Sequence, residues 1–199
     1  MSIVVNVLFN EKSYLVGDQR VSRKEGNAIV PLSETGHKVF RLSNNVSIGF
    51  TGSYELAMGV WERVTLWAKN NPVPAQSADI VARQLHRAFL ESGDQFNKAL
   101  CVVVSGVTSS GNMARYTFRI ENGCAMDEQI VTPQAPVVYT LLGEDVANQL
   151  DFEGRLIASI RNSGNNPDSA IVSCLRDFVV SVSEITETVN SNVEVIIVP

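Results

Sequence analysis

Residues Ile3 to Phe9 read Ile-Val-Val-Asn-Val-Leu-Phe, with apolar side chains at both odd and even positions. A strand with two apolar faces must be covered on both sides, so a sheet with one solvated face cannot hold it. The polar run Asn10-Glu11-Lys12-Ser13 and the segment Tyr14 to Asp18 follow at once, which is a hairpin signal. Beyond a polar loop expected from Arg20 to Gly36, the pattern predicts short strands at Lys38 to Leu42 and Val46 to Phe50. Four strands are therefore expected before the first helix.

Ser53 is placed to cap a helix carrying Leu56, Val60, Val64 and Trp67 at helical spacing, ended by Asn70-Asn71-Pro72. Ser77 opens a second helix with Asp79 in its first turn and Val81, Leu85, Ala88 and Phe89 on one face. Trp61 and Trp67 read as core. Strand patterns return at Ala99 to Ser105, Ala114 to Glu121, Cys124 to Val131 and Pro136 to Leu142, with Gly106 and Gly111 as turn residues. Helical patterns then cover Glu144 to Arg161 and Asp168 to Val182, and Val193 to Val198 closes the chain as a strand. Consecutive hairpins imply antiparallel sheets, and two helix pairs need two faces to cover. The expected fold is α+β: a four-layer αββα sandwich of two antiparallel sheets between two helical layers, in one domain of 199 residues. A doubly wound parallel fold would alternate strands with helices and carry a Gly-rich phosphate loop, which is missing here.

Composition narrows the function. Sixteen basic against twenty-one acidic residues give a net charge of −5, with no basic run to track phosphates, so nucleic acid is not an expected partner. Cys101, Cys124 and Cys174 are odd in number and in no metal-like spacing, and read as buried thiols of a reducing cytoplasm. His37 and His86 are too few for a zinc centre or a histidine triad, so no metal or cofactor is expected and both read as structural. No apolar run has the roughly 20 residues that span a bilayer, and Met1-Ser2 lead straight into the first strand, so no membrane partner is expected.

The polar residues that stand out lie in the first quarter: Ser2, Asp18, Arg20, Lys38 and the Gly49-Phe50-Thr51-Gly52 run before the first helix. Val16-Gly17-Asp18-Gln19-Arg20-Val21-Ser22, Lys38-Val39-Phe40-Arg41-Leu42 and Ile48-Gly49-Phe50-Thr51-Gly52-Ser53 resemble the amino-terminal half of proteasome β-type subunits and their bacterial relatives. Those proteins are amino-terminal-nucleophile (Ntn) hydrolases with an αββα sandwich. Asp18 lies sixteen residues after Ser2 and Gly52 fourteen after Lys38, as the family's nucleophile, aspartate, lysine and oxyanion glycine are spaced. The resemblance covers roughly residues 2 to 70. It implies Ser2 as nucleophile once Met1 is removed, Asp18, Lys38 and Gly52 as its catalytic partners, Ser22 on the substrate backbone and Phe50 in the first specificity pocket. It also implies a homo-oligomeric ring acting on peptide or unfolded protein, with an ATPase as a possible partner.

The chemistry has its own logic. A serine hydroxyl needs a base, and a free α-amino group with a pKa of about 8 serves near neutrality. Lys38 would stabilise the alkoxide, Asp18 would hold Lys38, and a Gly52 N–H near a helix amino terminus would stabilise the oxyanion. Arg20 reads as a loop anchor. The family pattern is not met everywhere. Serine stands for threonine, the family's Gly-Ser-Gly turn reads Leu141-Leu142-Gly143, and its Asp-x-x-Ser-Gly region reads Glu184 to Ser191, where Glu184 or Glu187 would have to replace the aspartate. The expected activity is amide-bond hydrolysis of the endopeptidase type in the cytoplasm. The alternatives are an inactive structural or assembly subunit and a small-molecule amidase.

Overall fold

The computed structural model describes residues 2–25, 28–92, 99–119, 125–143 and 150–199. β1 (Ile3–Phe9) and β2 (Lys12–Asp18) form the expected hairpin, and the turn is tighter than the polar run suggested: only Asn10 and Glu11 lie between the strands. Asn10 takes a φ of 54°, a conformation asparagine tolerates better than most residues. β1 is buried from Ile3 to Leu8, as its two apolar faces require.

The segment from Arg20 to Gly36, expected as a loop, instead holds a second hairpin, β3 (Val21–Glu25) with β4 (Ala28–Ser33). It forms a two-stranded sheet of its own, and β4 has no continuous buried face, so the period-2 pattern that marks half-buried strands never develops. β5 (Val39–Arg41) and β6 (Val46–Gly52) follow, then α1 (Tyr54–Asn70), capped by the Ser53 hydroxyl, and α2 (Ala78–Ser92). Six strands, not four, thus precede the first helix.

β7 (Leu100–Val107), β8 (Met113–Arg119), β9 (Met126–Ile130) and β10 (Val137–Gly143) continue the chain. Gly106 sits inside β7 and not in a turn. α3 (Phe152–Asn162) starts later than the sequence pattern suggested, because Asp151 caps it by accepting from the Gly154 N–H at 2.9 Å; the part of that reading on 144–149 lies outside the described residues. α4 (Pro167–Ser183) and β11 (Val193–Val198) end the chain.

One antiparallel sheet has the order β10-β1-β2-β11 and the other β5-β6-β7-β8-β9. Val4 and Leu15 of the first pack with Val39 and Val103 of the second in one buried cluster. The outer face of the five-stranded sheet packs on α1 and α2 through Ile48, Val102, Val64 and Val81, with Trp61 and Trp67 partly buried against this cluster. The outer face of the four-stranded sheet packs on α3 and α4 through Val5, Val7, Leu156 and Phe178. Between the sheets lies a seam of wholly buried polar side chains. Asn6 Nδ2 donates to the hydroxyls of Ser13 (3.0 Å) and Ser105 (3.1 Å), Ser13 to Ser105 (2.8 Å), and Ser47 lies 3.1 Å from Ser105.

Cys174 is a buried thiol, raised above its ordinary pKa by burial, whereas Cys101 is only half-buried; Cys124 lies outside the described residues. Among the described residues no helix is long and apolar enough to cross a membrane, and no group of three or more His, Cys, Asp or Glu side chains is disposed to hold a metal ion.

Candidate active site

Ser2 immediately precedes β1, a strand with a neighbour on each side, so its backbone is fixed by the sheet. Gly143, opposite Ile3 in β10, has a φ of 115°, and a Cβ there would stand 1.7 Å from the Ser2 carbonyl oxygen. Only glycine allows the two backbones to approach this closely. Asp18 ends β2 and is completely buried. Its carboxylate accepts from the Ile3 N–H (2.8 Å), the Arg20 N–H (3.0 Å) and the Lys38 ammonium (2.7 Å). Three donors offset the desolvation that an unpaired buried carboxylate would suffer. The first of them ties Asp18 to the residue next to Ser2.

Lys38, just before β5, is 5% exposed and also donates to the Arg20 backbone carbonyl. Gly52 ends β6 with a φ of 106°, where a Cβ would lie 2.3 Å from the Ala99 carbonyl oxygen. The direction of its N–H follows from register. Phe50 N–H donates to Lys38 O (2.9 Å) on the β5 side and Ser53 N–H to Ala99 O (2.9 Å) on the β7 side. Successive N–H groups of a strand alternate sides, so the Gly52 N–H falls on the Lys38 side, beyond the start of β5.

Ser2, Ser22, His37, Lys38, Phe50 and Gly52 line one narrow pocket of ≈ 30 Å³, with Arg20, Thr51, Tyr54 and Ala57 around them. Of the six residues expected as catalytic or substrate-binding, Ser2, Ser22, Lys38, Phe50 and Gly52 line this pocket, and Asp18 is linked to it through Lys38. Phe50 is 2% exposed and fills the α1 side. The Ser22 hydroxyl oxygen is buried without a hydrogen-bond partner among the described residues. Arg20 anchors its loop as expected: Nε donates to Glu34 at 3.0 Å and Nη1 to the Glu187 carbonyl at 2.6 Å.

Sequence reasoning missed three contributors. His37, read as structural, lines the pocket as an exposed side chain with Nδ1 2.8 Å from Glu194. Glu34 and Asn190 brace the loops behind Lys38: Asn190 Nδ2 donates to Glu34 Oε2 at 2.8 Å, while Asn190 Oδ1 accepts from the Gln19 N–H at 3.0 Å. Hydrogen bonds from Asn190 and Arg20 hold the Glu34 carboxyl below the ordinary glutamate range. Glu184 and Glu187, considered as carboxylate replacements, are both exposed, and Glu187 serves through its backbone carbonyl. The carboxamide at Asn190 is what this region turns toward the loops of Arg20 and Lys38.

No family model matches the chain, and no curated protein matches it in sequence. Among solved structures it is similar to the crystal structure of eukaryotic HslV from Trypanosoma brucei, with a TM-score of 0.64 over 98% of each chain. The fold is that of HslV. At 16% identity the likeness is one of architecture, not of individual side chains. HslV is a proteasome-type Ntn hydrolase, so the architecture agrees with the resemblance carried by the first seventy residues.

Proposed function

We propose that this chain is a proteasome-like Ntn hydrolase that cleaves peptide amide bonds with Ser2 as nucleophile, after Met1 has been removed. The observation that carries the reading is the convergence of Ser2, Gly52 and Lys38, paired with the buried Asp18, at one pocket. The HslV-like architecture, whose three core clusters point to four αββα layers, supports it.

In this mechanism the α-amino group of Ser2 takes the hydroxyl proton as Oγ attacks the amide carbonyl. Lys38, held by Asp18, lowers the cost of the developing alkoxide. The Gly52 N–H receives the oxyanion, and a donor of this kind is worth about 3 kcal/mol in the transition state. The ammonium returns its proton to the leaving amine as the C–N bond breaks, and water then attacks the acyl ester, regenerating Ser2 and releasing a carboxylic acid. The Ser22 hydroxyl, buried in the pocket wall, would meet a substrate backbone once uncovered, and Phe50 restricts the pocket to a small side chain. The same narrowness favours a second reading, a small-molecule amidase. For the peptidase we propose a cytoplasmic self-compartmentalised homo-oligomer, served by an ATPase if its substrates are folded proteins. Light scattering that shows only a monomer would remove the compartment.

Intact mass of the natively produced protein tests the reading first. The expected mass lacks Met1, and a β-lactone or epoxyketone should add once, at Ser2, and not to Lys38→Ala. A retained Met1, or no adduct at all, would overturn it in favour of an inactive assembly subunit.

A further inference from the structure

We infer that Asn190, acting with Glu34, is a positioning residue that sets where the Lys38 ammonium stands. This rests on the reading of Ser2 as nucleophile, and it assigns the 187–192 segment a task through hydrogen bonds rather than through a carboxylate.

Two acceptors of Lys38, the Asp18 carboxylate and the Arg20 carbonyl, differ in how they are fixed. Asp18 is itself the last residue of β2 and accepts from the Ile3 N–H within the sheet, with the Arg20 N–H as a second donor. The Arg20 carbonyl belongs to a connecting segment outside β2 and β3, and its place depends on what holds residues 19 and 20. Asn190 does this from one side, accepting from the Gln19 N–H at 3.0 Å. With its other end it donates to the Glu34 carbonyl (3.1 Å) and to Glu34 Oε2 (2.8 Å), and Glu34 in turn receives Arg20 Nε at 3.0 Å. Asn192 adds a second donor to the Glu34 carbonyl at 3.1 Å, and the Gly36 N–H donates to Gln19 O at 2.7 Å. One carboxamide therefore spans the segment leading to Arg20 and the segment leading to Lys38. Asn190 is 6% exposed, uses its oxygen and its amide nitrogen in this bridge, and does not itself line the pocket. Burying a carboxamide is favourable only when its groups are paired. Both ends of this one are paired across the two segments whose separation decides whether Lys38 can reach Arg20 O and Asp18 together.

The test exchanges donor and acceptor. In Asn190→Asp the donors to Glu34 are lost and two carboxylates face each other. In the double variant Asn190→Asp, Glu34→Gln the new side-chain amide at position 34 donates back to the carboxylate at position 190, and its oxygen still accepts from Arg20. Labelling of Ser2 by a β-lactone, followed by intact mass on the full chain, gives the maximal rate and the half-saturating concentration separately. Asn190→Asp should lower the maximal rate about 10- to 100-fold, as small misplacements of reacting groups do, with little change in half-saturation. The double variant should recover most of that loss. Solvent exchange of the Lys38 ammonium protons, read by NMR, should quicken in the single variant and slow again in the double one.

Wild-type protein that labels, with Asn190→Asp labelling at the same maximal rate, would overturn the inference and leave the nucleophile standing. A single variant that only melts earlier, with unchanged rate per folded molecule and unchanged Lys38 exchange, would reduce Asn190 to a structural contact. Wild-type protein that does not label at all would overturn the nucleophile and this inference together.

Discussion

β2 carries a lysine–aspartate pair at each end of its length, and the two pairs differ in almost every physical respect. At the Ser2 end, Asp18 meets Lys38 with side chains 0% and 6% exposed, and two backbone N–H groups complete the carboxylate. At the far end, Lys12 meets Asp168 with both side chains 43% exposed, and the Tyr14 hydroxyl donates to the same carboxylate at 2.6 Å. The far pair sits in water and in the first turn of α4, where a carboxylate is welcome without any partner. The near pair has been taken out of water and bonded to loops distant in sequence, and that arrangement is hard to explain as stability alone. An apolar pair of similar size would commonly serve as well or better.

The comparison can be broken by deletion. Lys38→Ala should show the largest effect, since it leaves Asp18 buried without its counter-ion: about 3–5 kcal/mol in urea unfolding. It should also slow Ser2 acylation by at least about 100-fold. A Lys38→Ala protein as stable and reactive as wild type would sink the distinction between the two ends. Gly143→Ala comes next. With a φ of 115° and a Cβ 1.7 Å from Ser2 O, it should cost more than about 1–2 kcal/mol and displace Ser2, read as slower labelling. Tyr14→Phe removes one hydrogen bond to a carboxylate that water can partly replace, and should cost about 1 kcal/mol by thermal melt, without changing Ser2 reactivity. Lys12→Ala should cost about 0–1 kcal/mol and shrink further in high salt.

Acid sharpens the same contrast. Lys12 and Tyr14 hold the Asp168 carboxyl below the ordinary aspartate range. A lowered pKa means that the folded state binds its proton less readily than the unfolded state. The stability it contributes is therefore fully present above about pH 3.9 and is lost as pH falls through the lower folded value. The melting gap between wild type and Asp168→Asn should stay constant from neutrality to about pH 5 and close only in stronger acid.

What the sequence disclosed follows the range of the interactions. β1, β6 and α1 were legible because each is announced within a few residues, by a buried pattern or by a capping serine. Ser2, Asp18, Lys38 and Gly52 were singled out by their resemblance to the family's motifs; strand lengths and a tight turn then bring Ser2, Lys38 and Gly52 to one pocket. The β3–β4 hairpin was not, because most of β4 faces solvent and no core imposes a period on it. α3 began later than its apolar pattern implied, at the point where Asp151 supplies a cap. Asn190 was invisible for a different reason. Its partners lie 156 and 171 residues away, and an asparagine in a polar stretch carries no mark of the segments it joins.

The buried seam of Asn6, Ser13, Ser47 and Ser105 has a consequence for how the molecule reaches its native state. Two apolar sheet faces can dock in many ways that satisfy hydrophobic contact about equally. Sliding one sheet past the other by a single residue would pull Asn6 and Ser13 away from Ser105 and break the bonds between the sheets, at about 1–3 kcal/mol for each polar group left unpaired. The seam therefore acts during assembly as an alignment key, rejecting mis-docked sandwiches that oil-like contact alone would accept. The loops that bring Lys38 toward Ser2 hang from strands in both sheets, so the precision of the Ser2 end is set first by polar atoms deep between the sheets.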